Sequence, residues 1–152
     1  MRRQGNEVKD RETVDSIIRN ADVCRLAMCS ENEPYVVPMC FGRDGDSIYF
    51  HCAKEGKKMD IIKKNSRVCF ELEGGANIAR ASIPCKWSID YISVIGFGRA
   101  SIVEDVEEKK RALTTILEHY GGKGPYEYGE QAFDKAAIIK VEIESMTCKR
   151  SQ

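Results

Sequence analysis

The chain has 152 residues, a length that predicts one domain with a real but modest core. Its 24 basic side chains balance 24 acidic ones, so it lacks the basic excess of a typical nucleic-acid-binding protein. No apolar run approaches the roughly 20 residues of a membrane span, and the start, MRRQGNEVKDRE, is basic with no apolar segment behind it, so no signal peptide is read there.

The first predicted element is a helix over DRETVDSIIR, Asp10 to Arg19. Val14, Ile17 and Ile18 share one face, and Asp10 is the N-cap. VCRLAMCS and YVVPMCF then read as strands around the turn ENEP, and GRDGD separates YVVPMCF from a third strand, SIYFHC. This predicts a meander of three hairpin-linked strands. Pro38 cannot donate to a ladder, which places it at an edge or a bulge, positions that often lie beside binding sites.

In the third strand Ile48, Phe50 and Cys52 face one way, and Tyr49 and His51 the other. A helix follows that opens on Lys57 and Lys58, although cations at a helix start oppose its dipole. Free N–H groups there, with Lys54, Lys57 and Lys58 and a permissive Gly56, make a phosphate-sized anion site. A solvated basic face continued by Lys63, Lys64 and Arg67 accounts for the same residues.

SRVCFELE alternates as a half-buried strand, and GGANIARASIPCKWSID reads as a long irregular connection carrying the only tryptophan, Trp87. That side chain is either a core plug or a lid on a flat ligand. YISVIGFGRASIV is the longest strand. Gly96 and Gly98 lie on one face of it, marking a bend or a close approach to the backbone. Asp105 caps a helix with Val106, Leu113, Ile116, Leu117 and Tyr120 inward, and Glu108 completes a capping box. AAIIKVEIES is the last strand. The count is six strands and three helices, a small antiparallel barrel with helices at its rims.

Seven cysteines, an odd number with no CxxC pair, read mostly as small buried hydrophobes in a reducing cytoplasm. No metal-ligand constellation and no nucleophile–base arrangement stands out. His119, at a helix end, reads as structural, and no catalytic residue is assigned.

The segments CRLAMCSENEPYVVPMCF, IYFHCAKEGKKMDIIKKNSRVCFE and YISVIGFGRASIVEDVEEKKRAL together resemble the FMN-binding split-barrel proteins related to pyridoxamine 5′-phosphate oxidase. Within that group they look most like the nitroimidazole-resistance (Nim-type) branch. The resemblance covers residues 8 to 145 and implies a single FMN-binding domain over residues 1–152 with a six-stranded antiparallel split β-barrel. It also implies a homodimer with FMN in clefts between the protomers. By that resemblance Lys57 and Lys58, with backbone near Gly56, hold the FMN phosphate. Pro38, Met39, Cys40 and Phe41 run along the flavin ring, and His51 and Cys52 end the neighbouring strand. Tyr91 and Ser93 approach the flavin, reaching across the dimer, and Trp87 stacks on it or covers it. The implied activity passes electrons from a nicotinamide donor through FMN to a small planar acceptor, as in a nitroreductase. The alternatives are a non-catalytic flavin-binding or redox-sensing module using Cys40 and Cys52, and a haem-binding barrel with His51 as axial ligand. The tail MTCKRSQ does not match the arginine-rich segment of pyridoxamine phosphate oxidase itself, so oxidation of that vitamin is not expected.

Overall fold

Asp10 is extended, and its carboxylate accepts the Thr13 N–H at 2.9 Å, starting helix α1 (Arg11–Asn20). The computed structural model describes residues 4–133 and 136–151, and the basic start, Met1 to Arg3, lies outside them. Its strands are β1 (Glu7–Val8), β2 (Cys24–Ser30), β3 (Glu33–Met39), β4 (Phe41–Asp44) and β5 (Ser47–Ala53), followed by β6 (Arg67–Ala79), β7 (Ser88–Ile102) and β8 (Ala136–Arg150). Helix α2 (Lys57–Lys64) joins β5 to β6, and α3 (Val106–His119) follows β7.

All strand pairs are antiparallel and form one sheet in the order β3-β2-β6-β7-β8-β5-β4, with the short β1 beside β8. The sheet curls round a core but does not close, because β3 and β4 are its two edges. This is a split barrel with flanking helices. The eight strands against six expected come from the two-residue β1 and from a break at Cys40, which divides YVVPMCF into β3 and β4.

That break corrects the predicted meander. β2 and β3 form the expected hairpin, turning on Glu31 and Asn32, both at positive φ, as a two-residue hairpin loop requires. β3 and β5 are not neighbours, however. At Cys40 the chain steps from one sheet edge to the other, and the second hairpin joins β4 to β5 through Gly45–Asp46. Pro38 does lie on an edge strand, where its missing N–H costs no ladder bond.

The inner face is apolar. Leu26, Phe41, Ile48, Phe50, Phe70, Leu72, Val94, Ile139 and Val141 have no exposed surface. α1 adds Val14, Ile17 and Ile18, and α2 adds Met59, Ile61 and Ile62, to this core. A second cluster lies under α3, where Ala112 and Ile116 pack on Tyr49, Val103 and Ile138. β5 is therefore buried on both faces up to Phe50. The predicted inward face of α3 is narrower than its apolar residues suggest: Val106, Leu117 and Tyr120 are exposed. Asp105 does cap it, accepting the Glu108 N–H at 2.7 Å, but the Glu108 carboxylate turns to Lys140 at 3.1 Å instead of closing a capping box.

The predicted irregular connection is mostly strand. β6 and β7 pair out to Ala79↔Ser88, forming an arm whose tip is a short turn at Pro84–Lys86. A register shift between Glu73 and Ala76, at Gly74–Gly75, interrupts the alternation that would have marked it as strand. Gly96 is explained by packing: a Cβ there would penetrate the buried Phe70 ring. Gly98 lies at a second register shift, against the Glu142 backbone. Of the seven cysteines, all unpaired, only Cys24, Cys52 and Cys148 are buried, fewer than expected; Cys40 and Cys85 are exposed because one lies in the strand break and the other at the arm tip.

Candidate functional site

Four elements meet at the open seam of the barrel: the β3–β4 step, the end of β5, the loop after it and the first turn of α2. Met39 and Phe41 turn their side chains into the core, which leaves Cys40 exposed between them and Pro38 exposed on the edge. The strand thus presents backbone, Pro38 and Cys40 outward. Phe41 is held from behind: its N–H donates to the Tyr120 hydroxyl at 3.2 Å, that hydroxyl donates to the Asp22 carbonyl at 2.8 Å, and its ring lies 4.2 Å from the His119 ring. The sequence reading gave Tyr120 only a core role and missed this link, which spans 79 residues and leaves no local signal.

At the end of β5, His51 is exposed and Cys52 is buried, with its Sγ 3.7 Å from the Met59 Sδ. Burial raises the Cys52 thiol pKa, the nearby Lys58 charge pulls it back, and Cys40 raises it further. Gly56, at φ 123°, caps α2 with no side chain, a conformation open to glycine alone. The Met59 and Asp60 amides turn back onto the Gly56 carbonyl at 2.9 and 3.2 Å. The Lys57 and Lys58 amides have no partner among the described residues. A helix N-terminus with two free N–H groups is a positive site.

The two lysines differ. The Lys57 ammonium lies 2.6 Å from a Glu33 carboxylate oxygen and 5.0 Å from the centroid of the Tyr35 ring. Lys58 makes no ion pair among the described residues. Of the two, Lys58 is the one without a carboxylate partner among the described residues, in the same first turn as the uncapped amides.

Trp87, Tyr91 and Ser93 are not brought to this rim within one protomer. Trp87 sits on the arm, 53 % exposed, so it is not a core plug; its indole N–H donates to the Ala81 carbonyl at 2.8 Å and the Arg80 guanidinium lies over its ring. Tyr91 is half-buried at the arm's base, and Ser93 is buried opposite Glu73. They belong to the outer face of the sheet, three strands from β3, roughly 14 Å at ordinary strand spacing.

That outer face carries two rows of register partners. One runs Val36, Ala27, Cys69, Phe97, Ser145, and the other Pro38, Arg25, Glu71, Ile95, Thr147. Val36, Ile95 and Phe97 are each more than two fifths exposed, and the arm continues the apolar surface with Ile78, Ile83 and Ile89. Arg25 crosses it, bonded to Glu71 and Glu73 at 3.0 Å each. The described residues hold no cluster of metal ligands, and no described helix is long and apolar enough to cross a membrane. A cavity of about 670 Å³ lies elsewhere, between α1 and the base of the arm. It holds none of the rim residues, and the seam chemistry, not cavity size, marks the candidate site.

The profile of the family described as pyridoxamine 5′-phosphate oxidase matches residues 10–150. A crystal structure of a candidate 5-nitroimidazole antibiotic resistance protein from Bacteroides thetaiotaomicron is 33% identical, with a TM-score of 0.83, covering 95% of this chain and 86% of that one. The structure of an FAD- and haem-binding protein from Mycobacterium smegmatis superposes with a TM-score of 0.85 over 97% of this chain and 74% of that one; at 16% identity it shows the shared fold alone. An uncharacterized protein of Rhizobium meliloti is 29% identical over 65 residues, 43% of this chain, and the match spans 42% of that protein's length.

Proposed function

From the premise that the chain belongs to the pyridoxamine 5′-phosphate oxidase family, we propose that it binds a flavin, specifically FMN, and acts as an oxidoreductase between a nicotinamide donor and a small planar acceptor such as a nitro-heterocycle. The observation that carries this reading is the rim of the seam. Two unpartnered amides at the start of α2 and the free Lys58 ammonium form a receptor for a phosphate dianion. An exposed length of strand backbone, with Pro38 and Cys40, lies beside it. A flavin mononucleotide needs both parts: donors for its tail, and a flat surface with backbone groups for its ring.

When bound, the flavin supplies the two-electron chemistry, and the chain supplies binding and orientation. Lys58 and the α2 amides fix the phosphate. The Cys40 break leaves β3 and β4 backbone free to meet the ring edge. Tyr120 holds that break in place through Phe41. The rim is open, and the outer sheet face beside it exposes Val36, Ile95 and Phe97 around the Arg25 ion pairs. We place a second copy of the chain on that face, as a homodimer. Trp87, Tyr91 and Ser93 of one protomer then reach the flavin of the other, with Trp87 as a lid. An apolar face of this kind is what an isologous dimer buries.

The test is the visible absorption spectrum of the purified protein, with acid release of its chromophore and sedimentation analysis. Bound FMN on a dimer supports the reading. A colourless protein that takes up no added FMN refutes it, and a Soret band in place of a flavin spectrum replaces the flavin with haem.

A further inference from the structure

We propose that Glu33 is an internal competitor for the flavin phosphate, and so sets how strongly this rim distinguishes a phosphorylated flavin from an unphosphorylated one. The inference rests on the flavin-phosphate reading above. Two lysines open α2, yet only one is free. The Lys57 ammonium is drawn to Glu33, at the start of the edge strand β3, 2.6 Å away and over the Tyr35 ring. Its side chain lies along the flank of α2, on the same cavity as Glu31, Asp60 and Lys64, not off the helix end.

The pairing is mutual: the hydrogen bond from Lys57 holds the Glu33 carboxyl below its ordinary range, and the bond to Glu33 holds the Lys57 ammonium above its own. Both side chains are largely in solvent, with relative exposures of 49% and 69%, so the pair is weakly held and a stronger anion can take the cation from it. A phosphate monoester near pH 7 carries close to two negative charges, against one for the carboxylate. To reach the phosphate the Lys57 ammonium must leave Glu33, so the carboxylate competes with the incoming dianion for that cation. Removing that charge strengthens phosphate binding and leaves a flavin without phosphate unaffected.

The experiment titrates the flavin-free full-length protein with FMN and with riboflavin, following flavin fluorescence, in the wild type, Glu33→Gln and Lys58→Met. Glu33→Gln should bind FMN about two- to fivefold more tightly, the effect of releasing Lys57 from one exposed ion pair. Its riboflavin affinity should match the wild type's. FMN affinity equal to or weaker than the wild type's overturns the proposal. So does riboflavin affinity that rises in step with FMN, since Glu33 would then act through shape. Wild type that does not prefer FMN to riboflavin, with Lys58→Met equally without effect, refutes the phosphate reading itself and the proposal with it.

Discussion

Replacing Lys58 with methionine should move two measurements in opposite directions. The substitution keeps most of the aliphatic stem that half-buries this residue and removes only the charge. Without flavin, a cation in the first turn of α2 opposes the helix dipole; Asp60 in the same turn complements it, but Gly56 offers no capping side chain and Lys58 has no carboxylate partner among the described residues. Neutralising it should stabilise the flavin-free protein by about 0.3–1 kcal/mol, a rise of about 1–4 °C in Tm for a chain of this size. With FMN the same change removes one charge-assisted phosphate contact of about 1.5–3 kcal/mol, so the Kd should rise about 10- to 150-fold. Thermal unfolding of the flavin-free variant and fluorescence titration with FMN give both numbers. A merely solvated lysine leaves FMN affinity unchanged, and that result would refute the assignment; a fall in flavin-free Tm would refute the dipole argument.

Other consequences can be checked separately. Gly96→Ala drives a methyl into the Phe70 ring, which has no exposed surface and nowhere to move, and should cost about 1–3 kcal/mol in urea unfolding; a change under about 0.5 kcal/mol would show that the strand relaxes. Alkylation mapped by mass spectrometry should modify the exposed Cys40 and Cys85 first and spare Cys24, whose thiol pKa burial pushes far above its ordinary value. Added FMN should protect Cys40, and a Cys40 modified equally fast with and without FMN would contradict the placing of the flavin at the seam. The Asp10 carboxyl is held below its ordinary pKa by the Thr13 hydroxyl, and that of Glu33 by Lys57. Their contributions are complete above the ordinary carboxylate range, about pH 4, and are lost as pH falls through the lowered values. The double variant Asp10→Asn, Glu33→Gln should therefore flatten the acid limb of a urea-midpoint profile between about pH 2 and 5.

The sequence alone was enough for whatever depends on neighbours in the chain. Asp10 and Asp105 cap helices because a cap acts within three residues, and alternation located the β6 segment SRVCFELE and the long β7 strand because side chains in a strand alternate regardless of what they pack on. The residues of the proposed anion site were legible in the same way: an apolar strand, Gly56 and two lysines at a helix start are a local pattern. Tertiary structure alone decided the rest. Cys40 looks like the interior of one strand, and only closure of the sheet around its core makes it the step between two edges, with the thiol outside and Met39 and Phe41 inside. Lys57 and Lys58 are adjacent and identical in type, yet a helix turns them about 100° apart. One meets Glu33, 24 residues earlier in the chain, and the other makes no ion pair among the described residues. Such pairings depend on which distant charge the fold delivers to each side of the helix, and no local pattern encodes that.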